Sequence, residues 1–141
     1  EFVESCLKPR LSEVGVAWMR RLKERDFEII LISGTLDFIL EHLLPILPAD
    51  AGFGSHIPEK SGRFTGRIVG NHPYHRGKVE ALRLYLKDKN ILYSESFGFG
   101  DSWADVPLLS LFGNPVALNP GKRRKKEAEK RGWLILRDPR Q

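Results

Sequence analysis

Hydrophobic and polar residues follow one another along the first third of the chain with periods that predict a helix, a strand and a second helix. Apolar residues at helical spacing predict an amphipathic helix over residues 9–25 and another over 37–47. Between them, residues 27–32 form a short apolar run that only Glu28 interrupts and that Ser33-Gly34-Thr35 closes. A short apolar run ended by a turn is typical of a buried strand in a parallel sheet.

The rest of the chain continues this alternation. Glycines and β-favouring residues predict a short strand at 51–56 and a hairpin with its turn at Ser61-Gly62 and its return limb at 63–69. Beyond the hairpin the predicted order is helix 77–87, strand 92–100, helix 104–112, strand 115–118, helix 122–130 and strand 133–136. Such alternation is typical of βαβ units. We therefore predict an α/β fold, a Rossmann-like three-layer core with a mostly parallel sheet and a small β-hairpin excursion.

The composition is that of a globular domain. The chain has 141 residues, of which 41% are hydrophobic and 29% charged, which excludes a disordered tail or a fibrous repeat. The longest purely aliphatic run covers residues 29–32, so we expect no membrane span and no membrane partner. Cys6 is the single cysteine, which excludes an internal disulfide and suits a reducing compartment, and the predicted location is the cytoplasm.

The net charge is confined to one segment. Residues 122–131 carry seven positive and two negative side chains, which equals the whole formal charge of +5. Nucleic-acid binding through this segment is one interpretation, and it predicts a strongly salt-dependent affinity. A solvated helix face explains the same residues more simply, because the segment lies between two predicted strands. We therefore expect no nucleic-acid partner.

The segment from Gly100 to Asp105 is the strongest candidate for a catalytic or metal-binding site. Asp101 and Asp105 are four residues apart at the point where a predicted strand gives way to a helix, so both side chains can face the same way. Facing carboxylates repel each other unless a cation or a proton lies between them, and hard oxygen ligands are those that Mg²⁺ takes. Alternatively, Asp101 caps the helix and Asp105 lies at the surface. The segment alone supports both interpretations equally.

Two further segments are candidate anion sites. Ser33-Gly34-Thr35 lies between a predicted strand and a helix, where backbone N–H groups and hydroxyls suit a phosphate, although a helix cap and turn explain the segment better when it is taken alone. Lys78 lies at a helix start, where a cation opposes the helix macrodipole and often serves a bound anion. A solvated surface lysine is the alternative.

Other motifs are excluded by single positions. Trp103 replaces the third glycine of a dinucleotide-binding fingerprint, and Val79 follows Gly77-Lys78 where a Walker loop has Ser or Thr. His72 and His75 are three residues apart in a proline-containing loop without cysteine or carboxylate partners, so we expect no zinc site there.

Taken in order, these segments resemble the haloacid dehalogenase superfamily, in its phosphoserine-phosphatase-like branch. Residues 31–35 resemble the family's second motif, residues 62–68 the hairpin before the third, Gly77-Lys78 the third motif, and residues 100–105 the fourth, acidic motif. Residues 117–120 and 131–133 resemble the closing segments of the branch. The resemblance extends over nearly the whole chain, so residues 1–141 are expected to form one core of this type.

The resemblance implies a Mg²⁺-dependent phosphatase acting on a small phosphorylated metabolite through an aspartyl-phosphate intermediate. Ser33, Gly34, Thr35 and Lys78 would bind phosphate, with Ser33 and Lys78 as catalytic residues. Asp101 would ligate Mg²⁺, and Asp105 would support the metal site.

The chain departs from the family at the first motif. That motif is Asp-x-Asp on a central strand, but none of the seven aspartates here lie two residues apart, and most of the helical cap is missing as well. We therefore assign no nucleophile. We expect these residues to be the C-terminal part of a longer chain, or to pair with a separate N-terminal piece, and to be inactive alone. The alternative is a non-catalytic module that binds phosphate or a partner.

Overall fold

The computed structural model describes residues 1–139, which divide into two compact units. The first unit ends at Pro73 and the second begins at Tyr74. Each unit combines helices with strands, and each is described separately below.

The first unit opens with two short helical turns, a π-helical turn at Val3–Leu7 and a 3₁₀ turn at Lys8–Arg10. Its regular elements are helix α1 (Glu13–Lys23), strand β1 (Ile30–Leu36), helix α2 (Asp37–Leu43), a 3₁₀ turn at Leu44–Ile46, and strands β2 (Ala51–Ser55), β3 (Glu59–Lys60) and β4 (Arg63–Phe64). The Ser12 hydroxyl accepts a hydrogen bond from the Gly15 N–H at 3.0 Å, so it caps α1. Leu22 and Leu40 are buried.

The second unit repeats the alternation of helix and strand. Its elements are helix α3 (Arg76–Tyr85), strand β5 (Phe97–Gly100), a 3₁₀ turn at Trp103–Asp105, helix α4 (Val106–Leu109), strand β6 (Asn114–Leu118), helix α5 (Lys122–Arg131) and strand β7 (Leu134–Leu136). The core of this unit contains the buried side chains of Leu82, Leu109 and Val116. Gly132 ends α5 in the left-handed conformation, with φ at 68°, as glycines at helix ends commonly do.

The predicted fold class is confirmed. Strands β1 and β2 pair in parallel, and so do β5 with β6 and β6 with β7. The predicted hairpin is present as the antiparallel pair β3–β4, and a bridge between His56 and Val69 closes the excursion. The predicted helices and strands occur in the predicted order, but several are shorter than predicted: α1 covers Glu13–Lys23 of 9–25, α4 covers Val106–Leu109 of 104–112, and β4 covers Arg63–Phe64 of the return limb 63–69. Two further differences bear on the candidate site.

The predicted strand over 92–100 is wrong in its first half, since β5 begins only at Phe97. Residues 92–96 form a turn, in which the Ser96 N–H donates to the Leu92 carbonyl at 3.0 Å. The Ser96 hydroxyl donates to the same carbonyl at 2.7 Å. Serine side chains that bond the local backbone in this way compete with strand pairing.

The first strand is shifted from the predicted 27–32 to Ile30–Leu36, so Ser33-Gly34-Thr35 lies within β1 rather than after it. Ile32 pairs with Phe53 and Leu36 with Ser55, so three residues of β1 stand opposite the single residue Gly54. A Cβ on Gly54 would lie 2.8 Å from the Thr35 carbonyl oxygen, which is closer than real contacts allow. Glycine at 54 therefore permits the irregular stretch that holds the serine and threonine.

Four of the parallel strands have one unpaired edge within the described residues. There, β1 and β2 pair only with each other, and β5 and β7 each pair only with β6. An unpaired edge presents backbone N–H and C=O groups that another strand can bind.

No helix within residues 1–139 is both long enough and apolar enough to cross a membrane.

Candidate active site

The acidic loop after β5 is organised around the Asp105 carboxylate. Asp105 is buried, with 3% of its surface exposed. Its Oδ2 atom accepts hydrogen bonds from the backbone N–H groups of Asp101 at 3.0 Å and Ser102 at 2.8 Å. Bonds from two successive N–H groups to one ionised oxygen are charge-assisted, and they fix the backbone of the loop around the carboxylate.

Lys78 of α3 supplies the cation for this buried carboxylate. Its Nζ atom donates to Asp105 Oδ1, and the two side chains are 15% and 4% exposed. A buried charge persists only when it is paired and its remaining hydrogen-bonding positions are filled. Asp105 meets both conditions, so Lys78, Asp105 and the backbone of the acidic loop form one connected group.

Gly100 allows the loop to approach Asp105 closely. A Cβ at position 100 would lie 2.4 Å from the Asp105 Cβ and 2.8 Å from its carboxyl carbon. No side-chain carbon fits in that space without displacing Asp105, so the last residue of β5 must be glycine.

Asp101 lies at the exposed side of this group. The structure shows no hydrogen bond or ion pair of its carboxylate with any residue from 1 to 139, although its backbone N–H is held by Asp105. Asp101 therefore presents a hard oxygen ligand on a fixed backbone. Mg²⁺ is commonly held by one or two carboxylates together with water and substrate phosphate, so this donor fits Mg²⁺ without a complete protein cage. No group of three or more potential metal-ligating side chains occurs within residues 1–139.

In the first unit, Ser33-Gly34-Thr35 is held by a different set of bonds. The Ser33 hydroxyl accepts a hydrogen bond from the Thr35 N–H at 3.2 Å. The Gly34 carbonyl accepts one from the Ser55 hydroxyl at 2.8 Å, and Ser55 is fully buried. These bonds fix the path of the chain through the three residues.

His72 completes this arrangement through Ser55. Its Nδ1 lies 2.7 Å from the Ser55 hydroxyl oxygen. Because the single hydroxyl proton of Ser55 goes to the Gly34 carbonyl, His72 Nδ1 must be the donor in its bond to Ser55. The imidazole is thereby held beside the motif, with its Cε1 atom 3.6 Å from the position of a Cβ on Gly34.

Sequence reasoning missed Ser55 and the position of His72. In the sequence, His72 stands out only as a possible metal ligand, and no signal connects it with Ser55, which lies 17 residues earlier. It also missed the pair formed by His56 Nδ1 and Asp37 Oδ2, which are 2.6 Å apart. Asp37 Oδ1 accepts the Phe38 N–H at 2.8 Å, so this pair lies at the start of α2.

The predicted site residues thus fall into two groups. Lys78, Asp101 and Asp105 come together in the second unit, and Ser33, Gly34 and Thr35 lie together on β1 in the first. Each group is internally ordered by hydrogen bonds to buried polar side chains.

Comparisons with known proteins place this geometry in context. The family model described as haloacid dehalogenase-like hydrolase matches residues 1–110. A histidinol-phosphatase of Neisseria meningitidis is 29% identical over 140 residues, covering 96% of this chain and 63% of that protein. The phosphoserine phosphatase SerB1 of Mycobacterium tuberculosis is 32% identical over 108 residues, covering 77% of this chain and 35% of that protein.

A solved structure is similar over the same extent. The crystal structure of a protein of unknown function from Bordetella pertussis Tohama I matches with a TM-score of 0.85 and 25% sequence identity. The match covers 96% of this chain and 62% of that one. The chain therefore spans less than two thirds of the length of each of these similar proteins.

Proposed function

The chain belongs to the haloacid dehalogenase-like hydrolases, and on that premise we propose that it carries the phosphate- and metal-binding residues of a Mg²⁺-dependent phosphatase. The family predicted from the motifs is confirmed. The observation that supports the proposed function most strongly is the free Asp101 carboxylate beside the buried Lys78–Asp105 pair. Relatives named as phosphatases support the same class of reaction.

Asp101 and Asp105 have different roles in this proposal. Asp101 would ligate Mg²⁺, whose chemistry when bound is to offset the negative charge of the phosphoryl oxygens. Both Asp105 oxygens already accept bonds from the protein, so Asp105 supports the site by holding the Asp101 backbone and the Lys78 ammonium. Lys78 in turn presents a positive charge for phosphate and for a carboxylate nucleophile.

The motif on β1 would bind the phosphoryl group. The Ser33 hydroxyl keeps its proton for a phosphoryl oxygen, because in the structure it accepts the Thr35 N–H. The Gly34 backbone, fixed by Ser55, would let phosphate approach without obstruction from a side chain. Thr35 adds a second hydroxyl to the same stretch.

The proposed reaction needs a nucleophilic aspartate, and we assign this role to none of the aspartates within residues 1–141. A carboxylate oxygen attacks phosphorus, the bond from phosphorus to the ester oxygen breaks, and the leaving alcohol takes a proton from a general acid. Water then attacks the aspartyl-phosphate, which releases inorganic phosphate and restores the carboxylate. We propose that a further strand, paired with the open edge of β1, carries this aspartate. The same longer chain or a separate piece would supply it.

The substrate we propose is a small phosphorylated metabolite. Its identity depends on surfaces that bind the leaving alcohol, and none of the assigned residues does so. The cytoplasm is our proposed location, on the ground that the lone Cys6 is an exposed free thiol.

Acid-quenched labelling would test the proposal. The protein, expressed with any residues that its reading frame encodes ahead of Glu1, is incubated with Mg²⁺ and a phosphomonoester panel and quenched during turnover. Peptide mapping is expected to place the phosphoryl group on an aspartate of an Asp-x-Asp segment outside residues 1–141. Phosphorylation within residues 1–141 would refute the proposed strand. If the protein binds phosphate but shows neither turnover nor labelling, it is a non-catalytic binding module instead.

A further inference from the structure

The Ser33 hydroxyl is linked to the His72 imidazole by an unbroken series of hydrogen bonds. His72 Nδ1 donates to the Ser55 hydroxyl oxygen at 2.7 Å, and the Ser55 hydroxyl donates to the Gly34 carbonyl at 2.8 Å. The Gly34 carbonyl and the Thr35 N–H belong to one peptide group, and this N–H donates to Ser33 Oγ at 3.2 Å. Three hydrogen bonds in series therefore join the imidazole to the Ser33 hydroxyl.

All three bonds run in the same direction, because each group in the series accepts one hydrogen bond and donates the next. A carbonyl oxygen can only accept, so the single Ser55 proton points to Gly34, and Ser55 must receive the imidazole proton. At the other end, Ser33 Oγ receives the Thr35 N–H, and the Ser33 proton remains to be donated. Phosphoryl oxygens only accept, so this direction of the series is the one that suits a phosphoryl group.

The series begins at the surface and passes through the interior of the first unit. His72 is exposed as a residue, whereas Ser55 is fully buried. The imidazole is nevertheless seated against Gly34, since its Cε1 atom lies 3.6 Å from the position of a Cβ there, and the Pro73 carbonyl oxygen lies equally close. Pro73 is buried, so packing holds the backbone beside the imidazole. In such an interior each hydrogen bond polarises the next and strengthens it.

We propose that His72 is a positioning residue for phosphate binding: its Nδ1–H sets the direction of the series, and that direction gives Ser33 a proton to donate to a phosphoryl oxygen. The inference rests on the proposed function, in which β1 binds the phosphoryl group. With a donor at position 72, the peptide group after Gly34 is held from both sides, by Ser55 at its carbonyl and by Ser33 at its N–H. An acceptor at position 72 would compete for the Ser55 proton, and the Gly34 carbonyl would lose its donor.

Asparagine and aspartate at position 72 separate these two cases. The asparagine side-chain nitrogen can take the place of the imidazole Nδ1 and donate as it does, whereas an ionised aspartate of nearly the same shape only accepts. A charged acceptor draws the Ser55 proton away from a carbonyl. His72→Leu neither donates nor accepts, so it should fall between the two, and it replaces His72→Asp if that variant does not fold. His42→Asp is the control, since His42 is exposed and its Nδ1 contacts a carbonyl of its own helix at 2.8 Å.

NMR spectroscopy follows the series without any phosphatase activity. The carbonyl carbon shift of Gly34 reports whether Ser55 donates to it, and exchange of the Thr35 N–H with solvent reports whether its bond within the motif is held. We expect His72→Asn and His42→Asp to keep both quantities near those of the original protein. His72→Asp should move the Gly34 carbonyl signal upfield and speed Thr35 exchange about tenfold or more, because a buried hydrogen bond is lost. Equal values in His72→Asn and His72→Asp would overturn the proposal.

Titration calorimetry with inorganic phosphate connects the series with the proposed function. The protein carries any residues encoded ahead of Glu1, and Mg²⁺ is present. We expect His72→Asn to bind phosphate within about threefold of the original protein and His72→Asp about tenfold or more weakly. The ratio between the two should persist at high salt, which screens repulsion by the added charge but does not restore a lost hydrogen bond.

Two results would contradict different parts of this account. Equal phosphate affinities of His72→Asn and His72→Asp, alongside a shifted Gly34 carbonyl signal, would overturn the role of His72 in phosphate binding. Absence of phosphate binding by the original protein would refute the proposed function instead, and the NMR comparison would still decide whether His72 sets the direction of the series.

Discussion

Lys78 and Asp105 form a buried ion pair that ties helix α3 to the acidic loop after β5. The Lys78 ammonium donates a hydrogen bond to one oxygen of the Asp105 carboxylate. The other oxygen accepts hydrogen bonds from the backbone N–H groups of Asp101 and Ser102. The pair therefore links residues of the predicted third and fourth motifs, and the Asp105 carboxylate holds the Asp101 backbone.

Removing Lys78 should destabilise the second unit strongly. Lys78→Met leaves the Asp105 carboxylate buried without its cation, and breaking a buried pair from one side costs about 3 kcal/mol. Urea unfolding followed by circular dichroism measures the change. Arg83→Met is the matched control, since Arg83 pairs with Glu80 at the surface, and we expect it to cost below about 0.5 kcal/mol.

The double variant Lys78→Met/Asp105→Asn makes this prediction more specific. It removes the lone buried charge, so part of the lost stability should return relative to Lys78→Met alone. Equal stability of Lys78→Met and Arg83→Met would contradict the buried pair.

Gly100→Ala should displace Asp105, because the new methyl group would lie 2.4 Å from the Asp105 Cβ. Forcing a methyl group into such a site costs about 1–3 kcal/mol, and we expect the change to appear in the urea midpoint. Gly121→Ala is the control, since the nearest atom there is the end of the Arg124 side chain at 3.5 Å. A Gly100→Ala protein as stable as the control would show that the loop has more room than the structure allows.

Ser55→Ala should loosen the stretch that contains Ser33. The substitution leaves the Gly34 carbonyl and the His72 Nδ1–H without their buried partner, at a cost of about 1–3 kcal/mol. Nitrogen-15 spectra should show proton occupancy at His72 Nδ1 in the original protein and a mixture of tautomers in the variant. Ser110→Ala, which removes a hydroxyl from an exposed helix end, should change neither the stability nor the proton occupancy at His72 Nδ1 by much. A neutral His72 protonated only at Nε2 would refute the assignment.

The pKa of Glu127 should lie below the ordinary value for a glutamate. A hydrogen bond from the Arg131 side chain, helped by the charges of Arg131 and Lys130, holds the pKa of Glu127 below its ordinary value of 4.5. A lowered pKa in the folded protein stabilises it above the ordinary value, and this contribution is lost as pH falls through the folded-state pKa. Carboxyl carbon shifts measured against pH would show the effect, and Arg131→Met should move the pKa of Glu127 back towards 4.5. No movement in that variant would contradict the pairing.

The sequence was sufficient to predict the elements and their order, because hydrophobic periodicity is a local property. It also singled out Lys78, Asp101 and Asp105 as candidate site residues from motif order and the carboxyl ends of strands, and the structure brings these three together. The sequence could not show that Asp105 is enclosed by the protein while Asp101 is open, because that distinction depends on burial and on contacts between residues 27 positions apart.

The parts that were missed depend on competition between local and distant bonds. Residues 92–96 have strand-like composition, but they form a turn because the hydroxyl and the N–H of Ser96 both bond to the Leu92 carbonyl. The roles of Ser55 and His72 arise only when β2 brings Ser55 beside Gly34. Such a contact produces no periodic pattern in the sequence, so it could not be predicted.

The most direct test of the central claim is the Mg²⁺ dependence of phosphate release. The protein is expressed with any residues encoded ahead of Glu1, and the initial rate is measured over a phosphomonoester panel as Mg²⁺ is varied. Asp101→Asn is compared with Asp88→Asn, which makes the same chemical change at an exposed position outside the site. We predict Mg²⁺-dependent release that Asp88→Asn keeps and Asp101→Asn loses by about a hundredfold or more. Release that is independent of Mg²⁺, or equal in the two variants, would contradict the account.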